Sequence, residues 1–422
     1  MFTTHSSGSL MEPAINDRSS TSIGKTRTAR RSAGDLTIVL NEIISRLPSI
    51  VTDNDRIMSV VTNISSNVLA PILHARVFPD NLRSSYLQLW LKLTKLKQAS
   101  KVWKKDTLEA LNHPKFFSTR FDLAQTSWLP IFTELMLGDK ERLTEIIARI
   151  TPPASAGNIF GVGASAARLE TDKKTQLNLR RITLLLMSGD RDSAISSYSI
   201  LEEKISELIS ASAASSPSSA TRAEVFMLVR ALILRMSSIH LASLWPIITV
   251  ELQRAISSAL PRSIDYDLYN AFSVIQACKL LDLLLVVAPD DFQLHEWLFI
   301  TDTIEAVYRP ADRDPVALID DMAEELGSSE QSSTYPPTPG DLKRTMSFPA
   351  KTSGLRAPLL GMVAKELAEA SKAEVVQTVL RPWFTGLSMQ AFEATYGMAE
   401  VDWKTCEEVV LRDLFDDETM VG

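Results

Sequence analysis

The chain has 422 residues, of which 45% are hydrophobic and 23% charged, so it carries enough apolar material for a large core and is not a wholly disordered protein. A formal net charge of −7 argues against general attraction to nucleic acid. Cys278 and Cys406 are the only cysteines and lie far apart, which leaves neither a zinc-ligand spacing nor a disulfide framework and fits a reducing compartment.

Residues 1–34 are Ser/Thr-rich and mildly basic. They lack the apolar core of a secretory signal, and Glu12, Asp17 and the missing amphipathic stripe weigh against a transit peptide, so a disordered arm is expected. A helical block follows over 35–150. Leu36, Val39, Leu40, Ile43, Ile44 and Leu47 form a stripe ended by Pro48, and Ile57, Val60, Val61, Ile64 and Val68 form a second closed by Pro71, a pair that predicts a helical hairpin. Over 87–105, "LQLWLKLTKLKQASKVWKK" carries Lys92, Lys95, Lys97, Lys101, Lys104, Lys105 and no acid. Read as one helix, it places Leu89, Leu93 and Leu96 on a narrow face with lysines on both flanks. That predicts a core helix with solvated lysines, and makes the six lysines a candidate contact for anionic lipid or a partner, with Lys97, Lys101, Lys104 and Lys105 sharing a side. Leu82, Leu89, Leu96 and Trp103 keep a spacing of seven, which solenoid packing explains without a coiled coil. "TSWLPIFTELMLGDKERLTEIIARI" repeats the hairpin, with Gly138 and Asp139 at its corner.

A small, polar linker is expected over 151–175, then a central helical block over 176–326 with a flexible 210–222 loop, a disordered Pro/Ser/Thr-rich loop over 327–355, and a C-terminal helical segment over 356–422. In the central block Trp245 and Pro246 begin a helix whose positions Leu244, Ile248, Leu252, Ala255 and Ala259 make a buried stripe, with His240 in the turn before it. "VIQACKLLDLLLVVA" is apolar nearly all round, the pattern of a helix covered on more than one side. Its run is interrupted by Asp282 and falls short of the about 20 residues that cross a bilayer, so any membrane association is expected to be peripheral. The acidic close "AEVDWKTCEEVVLRDLFDDETMVG" reads as a solvated helix, or one docked on a basic partner or on the lysine-rich helix. No segment alternates as a strand would. The fold class predicted is all-α, an irregular α-solenoid of stacked HEAT/armadillo-like hairpins with a disordered arm and loops.

Motifs that imitate chemistry fail on context. Gly161, Gly163 and Ala166 match a relaxed dinucleotide fingerprint without a preceding strand, and Gly24, Lys25 and Thr26 end like a phosphate loop whose first glycine is replaced by Ser19. His295 and Glu296 start a zinc-protease pattern, but Phe299 stands where its second histidine belongs. His240 and His295 are therefore read as packing or capping residues, with no cofactor and no enzyme activity expected. Thr338 before Pro339, and Ser347 after Arg344, are candidate phosphorylation sites.

The stretches "VFMLVRALILRMSSIHLASLWPIITVELQRAI" and "NAFSVIQACKLLDLLLVVAPDDFQLHEWLFITD" resemble the C-terminal region of the Dopey proteins. "ASKVWKKDTLEALNHPKFF", "WLPIFTELMLGDKERLTEIIARI" and "QLNLRRITLLLMSGDRDSAISSYSILEEKISELI" are similar to the helices before it, and "LRPWFTGLSMQAFEATYG" to the fungal type of ending. The resemblance implies a large cytosolic helical scaffold in endosome-to-Golgi traffic, peripheral on Golgi and endosome membranes. It implies a Mon-two-type solenoid partner, an aminophospholipid flippase and, in some members, phosphatidylinositol 4-phosphate and kinesin. Dopey proteins are several times longer, and the region that carries their N-terminal domain has no counterpart here, so the chain is expected to be a fragment, a truncated form or a shortened paralogue. An α-solenoid adaptor not tied to membranes is the alternative.

Overall fold

In a computed structural model of the chain the described residues are 36–139, 141–151, 164–210, 218–300, 317–319, 322, 355–361, 371–397 and 399–415. The arm over 1–34, the glycines Gly24, Gly161 and Gly163, and the candidate sites Thr338 and Ser347 lie outside them. Among the described residues the chain is helical, and the one extended pairing is an isolated parallel bridge between Arg356 and Val401.

The first helix, α1, runs over 36–50, two residues beyond Pro48. Its buried face is Thr37, Asn41, Ile44 and Leu47, whereas Leu36, Val39 and Ile43 of the expected stripe are exposed. Polar contacts fix this rotation: the Asn41 amide donates to the Ser85 carbonyl at 3.0 Å, and Lys92 donates to the Asn41 carbonyl at 2.9 Å. Next, α2 (Asn54–Ile64) opens on Asp53, whose carboxylate accepts from the Asp55 amide, and continues through a π turn, Ser65–Leu69, into Ala70–Leu73. Pro71 therefore lies inside a continuing helix and does not close it. The same device recurs where a π turn at Ala124–Trp128 precedes Pro130, and another at Val376–Leu380 precedes Pro382. Proline lacks the N–H that a carbonyl four residues back would accept, and its ring collides with that carbonyl. A wider π turn moves the carbonyl aside, so the helix passes through.

The lysine-rich segment is two helices rather than one. α3 (Ser84–Thr94) ends before a corner, a 3-10 turn occupies Lys97–Ala99, and α4 (Ser100–Asn112) leaves in a new direction. Leu96 has φ −87° and ψ 89°, outside the helical region. Leu96 and Ala99 are buried at this corner while Lys95, Lys97 and Gln98 are exposed, so burial of the apolar pair favours the break. Leu82, Leu89, Leu96 and Trp103 are all buried, but Leu82 and Leu96 belong to connections and the other two to different helices, so their spacing of seven marks no seam. Trp90 Nε1 donates to Thr107 Oγ1 at 3.0 Å and ties α3 to α4. α5 (Leu129–Gly138) and α6 (Glu141–Ile147) follow with Asp139 at the corner between them, and both pack on the helix Ala164–Ser188 rather than on each other as the expected hairpin would.

The centre is built on α7 (Ala164–Ser188), α8 (Ile195–Ile209), α9 (Ser219–Arg235), α10 (Trp245–Ser257) and α11 (Ala271–Val287). α7 starts inside the expected 151–175 linker, and α9 takes Ser219–Arg222 of the expected 210–222 loop. Small polar residues there serve helix surface and capping: residues 167–170 are exposed on α7, and Ser218 Oγ accepts from the Thr221 amide at 3.3 Å. α9 lies between α7 and α11, and each residue from Ala220 to Leu234 is buried. α11 is likewise buried from Ser273 to Val286, in keeping with its all-round apolar pattern. On α10 and its flanks Leu244, Ile248, Leu252, Ala255 and Ala259 are buried with Trp245, and His240 sits in the 3-10 turn Ser238–His240 before it. α12 (Arg381–Tyr396) packs on α11, and α13 (Trp403–Leu414) covers α7 and α9. One continuous apolar core runs from Ile44 to Phe415. Among the described residues no helix is long and apolar enough to cross a membrane.

Candidate functional site

The six lysines separate by environment. Lys92 is half-buried and donates to the Asn41 carbonyl, Lys95 is ion-paired with Glu134, and Lys104 donates to the Gly138 carbonyl at 2.7 Å with the Asp139 carboxylate at 3.9 Å. These three hold helices together: α3 to α1, the α3 end to α5, and α4 to the α5–α6 corner. Lys97, Lys101 and Lys105 are exposed and form no ion pair among the described residues. The structure thus divides the expected group of four, keeping Lys97, Lys101 and Lys105 available and assigning Lys104 to packing.

Lys101 and Lys105 border a groove of ≈ 630 Å³ between α4 and the α5–α6 corner, shared with Lys104, Leu108, Asp139 and Arg142. Glu109 also lines it, and its carboxylate lies 2.6 Å from His74 Nε2. Arg142 bonds Asp139 at 3.0 Å and Glu145 at 2.6 Å. The Asp139 bond is the chief reason its guanidinium holds its proton more firmly than usual. Sequence reading missed Arg142 because it lies beyond the lysine segment and joins it only through the fold. Asp139 of the groove thus has Arg142 and Lys104 beside it and Glu109 has His74, while Lys101 and Lys105 form no ion pair among the described residues.

A second constellation is buried and structural. Asp413 of α13 accepts from Arg230 of α9 at 2.6 Å and from Lys279 of α11 at 2.6 Å, and Arg230 also donates to Gln276 at 3.0 Å. Arg180 of α7 binds Glu224 of α9 at 2.8 Å and the Leu414 carbonyl at 3.1 Å. Arg222 pairs with Glu251, which also accepts from Tyr269 at 2.8 Å. Burial raises the Asp413 carboxyl, but Lys279 and Arg230 outweigh it and hold the group below its ordinary range. The described part of the acidic close, α13, is therefore not a solvated helix. It docks within its own chain, on Arg230 and Lys279 of the central block rather than on the lysine-rich segment.

The histidines do not converge with these groups. His240 and His295 are half-buried in separate turns, and His113 packs edge-on against Phe78 at 4.5 Å. Among the described residues no group of three or more His, Cys, Asp or Glu is placed to hold a metal ion. Both cysteines are buried, and burial pushes the Cys406 thiol up to about 12.

Among the described residues the chain is all-helical, with buried ion pairs that join its helices and a groove bordered by the exposed Lys101 and Lys105. Residues 8–397 match the family model described as DOP1 C-terminal. The chain is 43% identical over 422 residues to Protein dop1 of Emericella nidulans, a match covering 100% of this chain and 22% of that protein. It is 28% identical over 256 residues to Protein DOP1 of Saccharomyces cerevisiae, with 60% of this chain and 13% of that one covered. Protein pad-1 of Caenorhabditis elegans is 26% identical over 309 residues, 66% of this chain and 12% of its own length. No solved structure matches. The chain belongs to the Dopey family and corresponds to its C-terminal region. It spans between about a tenth and a quarter of the length of these relatives.

Proposed function

We propose that the chain is a non-catalytic scaffold of endosome-to-Golgi membrane traffic and protein transport, built as an irregular α-solenoid and held peripherally on Golgi and endosome membranes. The observation that carries this reading is the family match along residues 8–397. The role is the one the resemblance to Dopey proteins implies. Its partners in this reading are proteins, a Mon-two-type solenoid first and an aminophospholipid flippase second. Supporting it, the buried ions Arg180, Arg222, Arg230, Lys279 and Asp413 are engaged in joining helices, the use expected of a rigid framework.

The test is expression of the tagged chain in a fungal host, with imaging against Golgi and endosome markers and affinity purification followed by mass spectrometry. Co-purification of the Mon-two partner with punctate marker overlap is the expected result. Diffuse staining and no Mon-two partner would leave a helical adaptor not tied to membranes. Substitution of His240 or His295 by Ala is expected to leave localisation unchanged, and purified protein with turnover abolished by either change would overturn the scaffold reading.

A further inference from the structure

The groove beside α4 has a length and an order of side chains as well as a charge. Lys101, Lys105, Leu108 and Asn112 occur at steps of four, three and four, so they share one face of α4. At 1.5 Å per residue this stripe is about 16 Å long. That is several times the span of one phosphate group and matches about five residues of extended chain at 3.3 Å each. Along the stripe the chemistry changes in sequence: two ammonium groups a helical turn apart, then an aliphatic side chain, then the Asn112 amide, whose Oδ1 already accepts from Arg149 at 3.0 Å.

The charges of the groove can be accounted for one by one. Asp139 is shared by Arg142 and Lys104, Arg142 is also held by Glu145, and Glu109 faces His74. Lys101 and Lys105 form no ion pair among the described residues. Glu109 and Asp139 remain within the lining and oppose a ligand that concentrates several negative charges at one point. Single carboxylates spaced along a chain avoid that repulsion and still reach both lysines.

We infer that this groove is a docking site for an acidic peptide segment of a protein partner, with carboxylates on Lys101 and Lys105 and an apolar side chain on Leu108. The inference rests on the scaffold reading only in taking the ligand to be a protein. Binding by the purified chain does not depend on where it resides in the cell, so the two can fail separately.

Fluorescence anisotropy of the purified full chain with a fluorescein-labelled peptide of Glu-Glu-Leu repeats tests it, with a Gln-Gln-Leu peptide as the neutral control. The acidic peptide is expected to bind, more weakly as salt rises, and the neutral one not to bind. Lys101→Glu/Lys105→Glu should weaken binding by about tenfold or more, since each change removes one attraction and adds a repulsion. Lys173→Glu/Lys404→Glu makes the same change in net charge at exposed lysines elsewhere and should alter affinity by no more than about twofold. All four positions are exposed, so the variants should keep the wild-type circular dichroism and melting temperature. Equal weakening by both double variants would reduce the effect to overall charge and overturn the site. So would absence of binding to the acidic peptide. Flotation with phosphatidylserine vesicles that is lost only in Lys101→Glu/Lys105→Glu, without peptide binding, would assign the groove to a membrane surface instead.

Discussion

Two buried carboxylates, Asp413 and Asp282, respond to their surroundings in opposite senses. Asp413 has Arg230 and Lys279 within 2.6 Å, and its pKa lies below the ordinary 3.8. A depressed pKa contributes stability above the unfolded value, and that stability is lost as pH falls through the folded one. Asp413→Ala leaves two buried cations unmatched and should cost about 3–5 kcal/mol in urea unfolding near neutral pH. A loss below about 1 kcal/mol would mean the cations find other partners or water. Asp282 is fully buried on α11, accepts from the Leu360 amide at 2.7 Å, and is pushed up to about 6 by burial against the pull of that amide. Its ionisation therefore costs stability as pH rises from about 4 to about 6. Asparagine can still accept from the Leu360 amide without ionising. Between about pH 4 and pH 7.5, the stability of Asp282→Asn relative to wild type should improve by roughly 2 kcal/mol. An offset that does not change with pH would contradict this assignment. Neither role could be read from sequence. Asp282 looked like an interruption in an apolar run, and Asp413 like one acid among eight, because their partners are residues brought near only by the fold.

At the level of elements, apolar periodicity found the helices but not always their ends or their rotation. Pro71 reads as a stop because an ordinary α-helix cannot accommodate it, yet a π turn before it lets the helix continue. The lysine-rich segment reads as one helix because lysine, leucine and glutamine all favour helix. Burial of Leu96 and Ala99 outweighs that local preference and bends the chain. On α1, apolar residues occur on both faces, so pattern alone cannot choose the buried one. Asn41 and Lys92 decide it by bonds between α1 and α3. Adjacent residues provide the test: Ile44 is 2% exposed and Ile43 45%. Ile44→Ala should cost about 2–4 kcal/mol and Ile43→Ala less than about 1 kcal/mol, measured by urea unfolding. Equal costs would show that α1 is rotated from this orientation. The candidate groove was half legible. Its lysines stand out as a run without acids, but their division into packing and available groups depends on Glu134, Gly138, Asp139 and Arg142, which belong to other elements.

Across the whole molecule, composition suggests separate helical blocks joined by a linker, whereas the packing is continuous from Ile44 to Phe415. Arg181 of α7 is a principal connection: its guanidinium donates to the Leu111 and Asn112 carbonyls at 3.0 and 2.9 Å and to Asn178 at 2.8 Å, closing the C-terminal end of α4. Burial, with Arg149 adding repulsion, lowers its pKa to about 10, so it remains charged at neutral pH. Phe415, beyond α13, adds ring contacts at 5.9 and 5.6 Å to Phe116 and Phe117. Elements that share a core and lose it together open together. Native-state hydrogen exchange should therefore give the slowest amides of α3–α5 and of α9–α11 the same opening free energy and the same dependence on urea. Arg181→Met keeps much of the apolar volume but leaves the Leu111 and Asn112 carbonyls without their charged donor, so α3–α5 should open about 1–3 kcal/mol more easily than α9–α11. Separate openings in the wild-type chain would show that the two groups of helices fold as independent units despite their contact. Coincident openings in wild type that Arg181→Met does not separate would shift the connection from the guanidinium to the apolar contacts around Phe415.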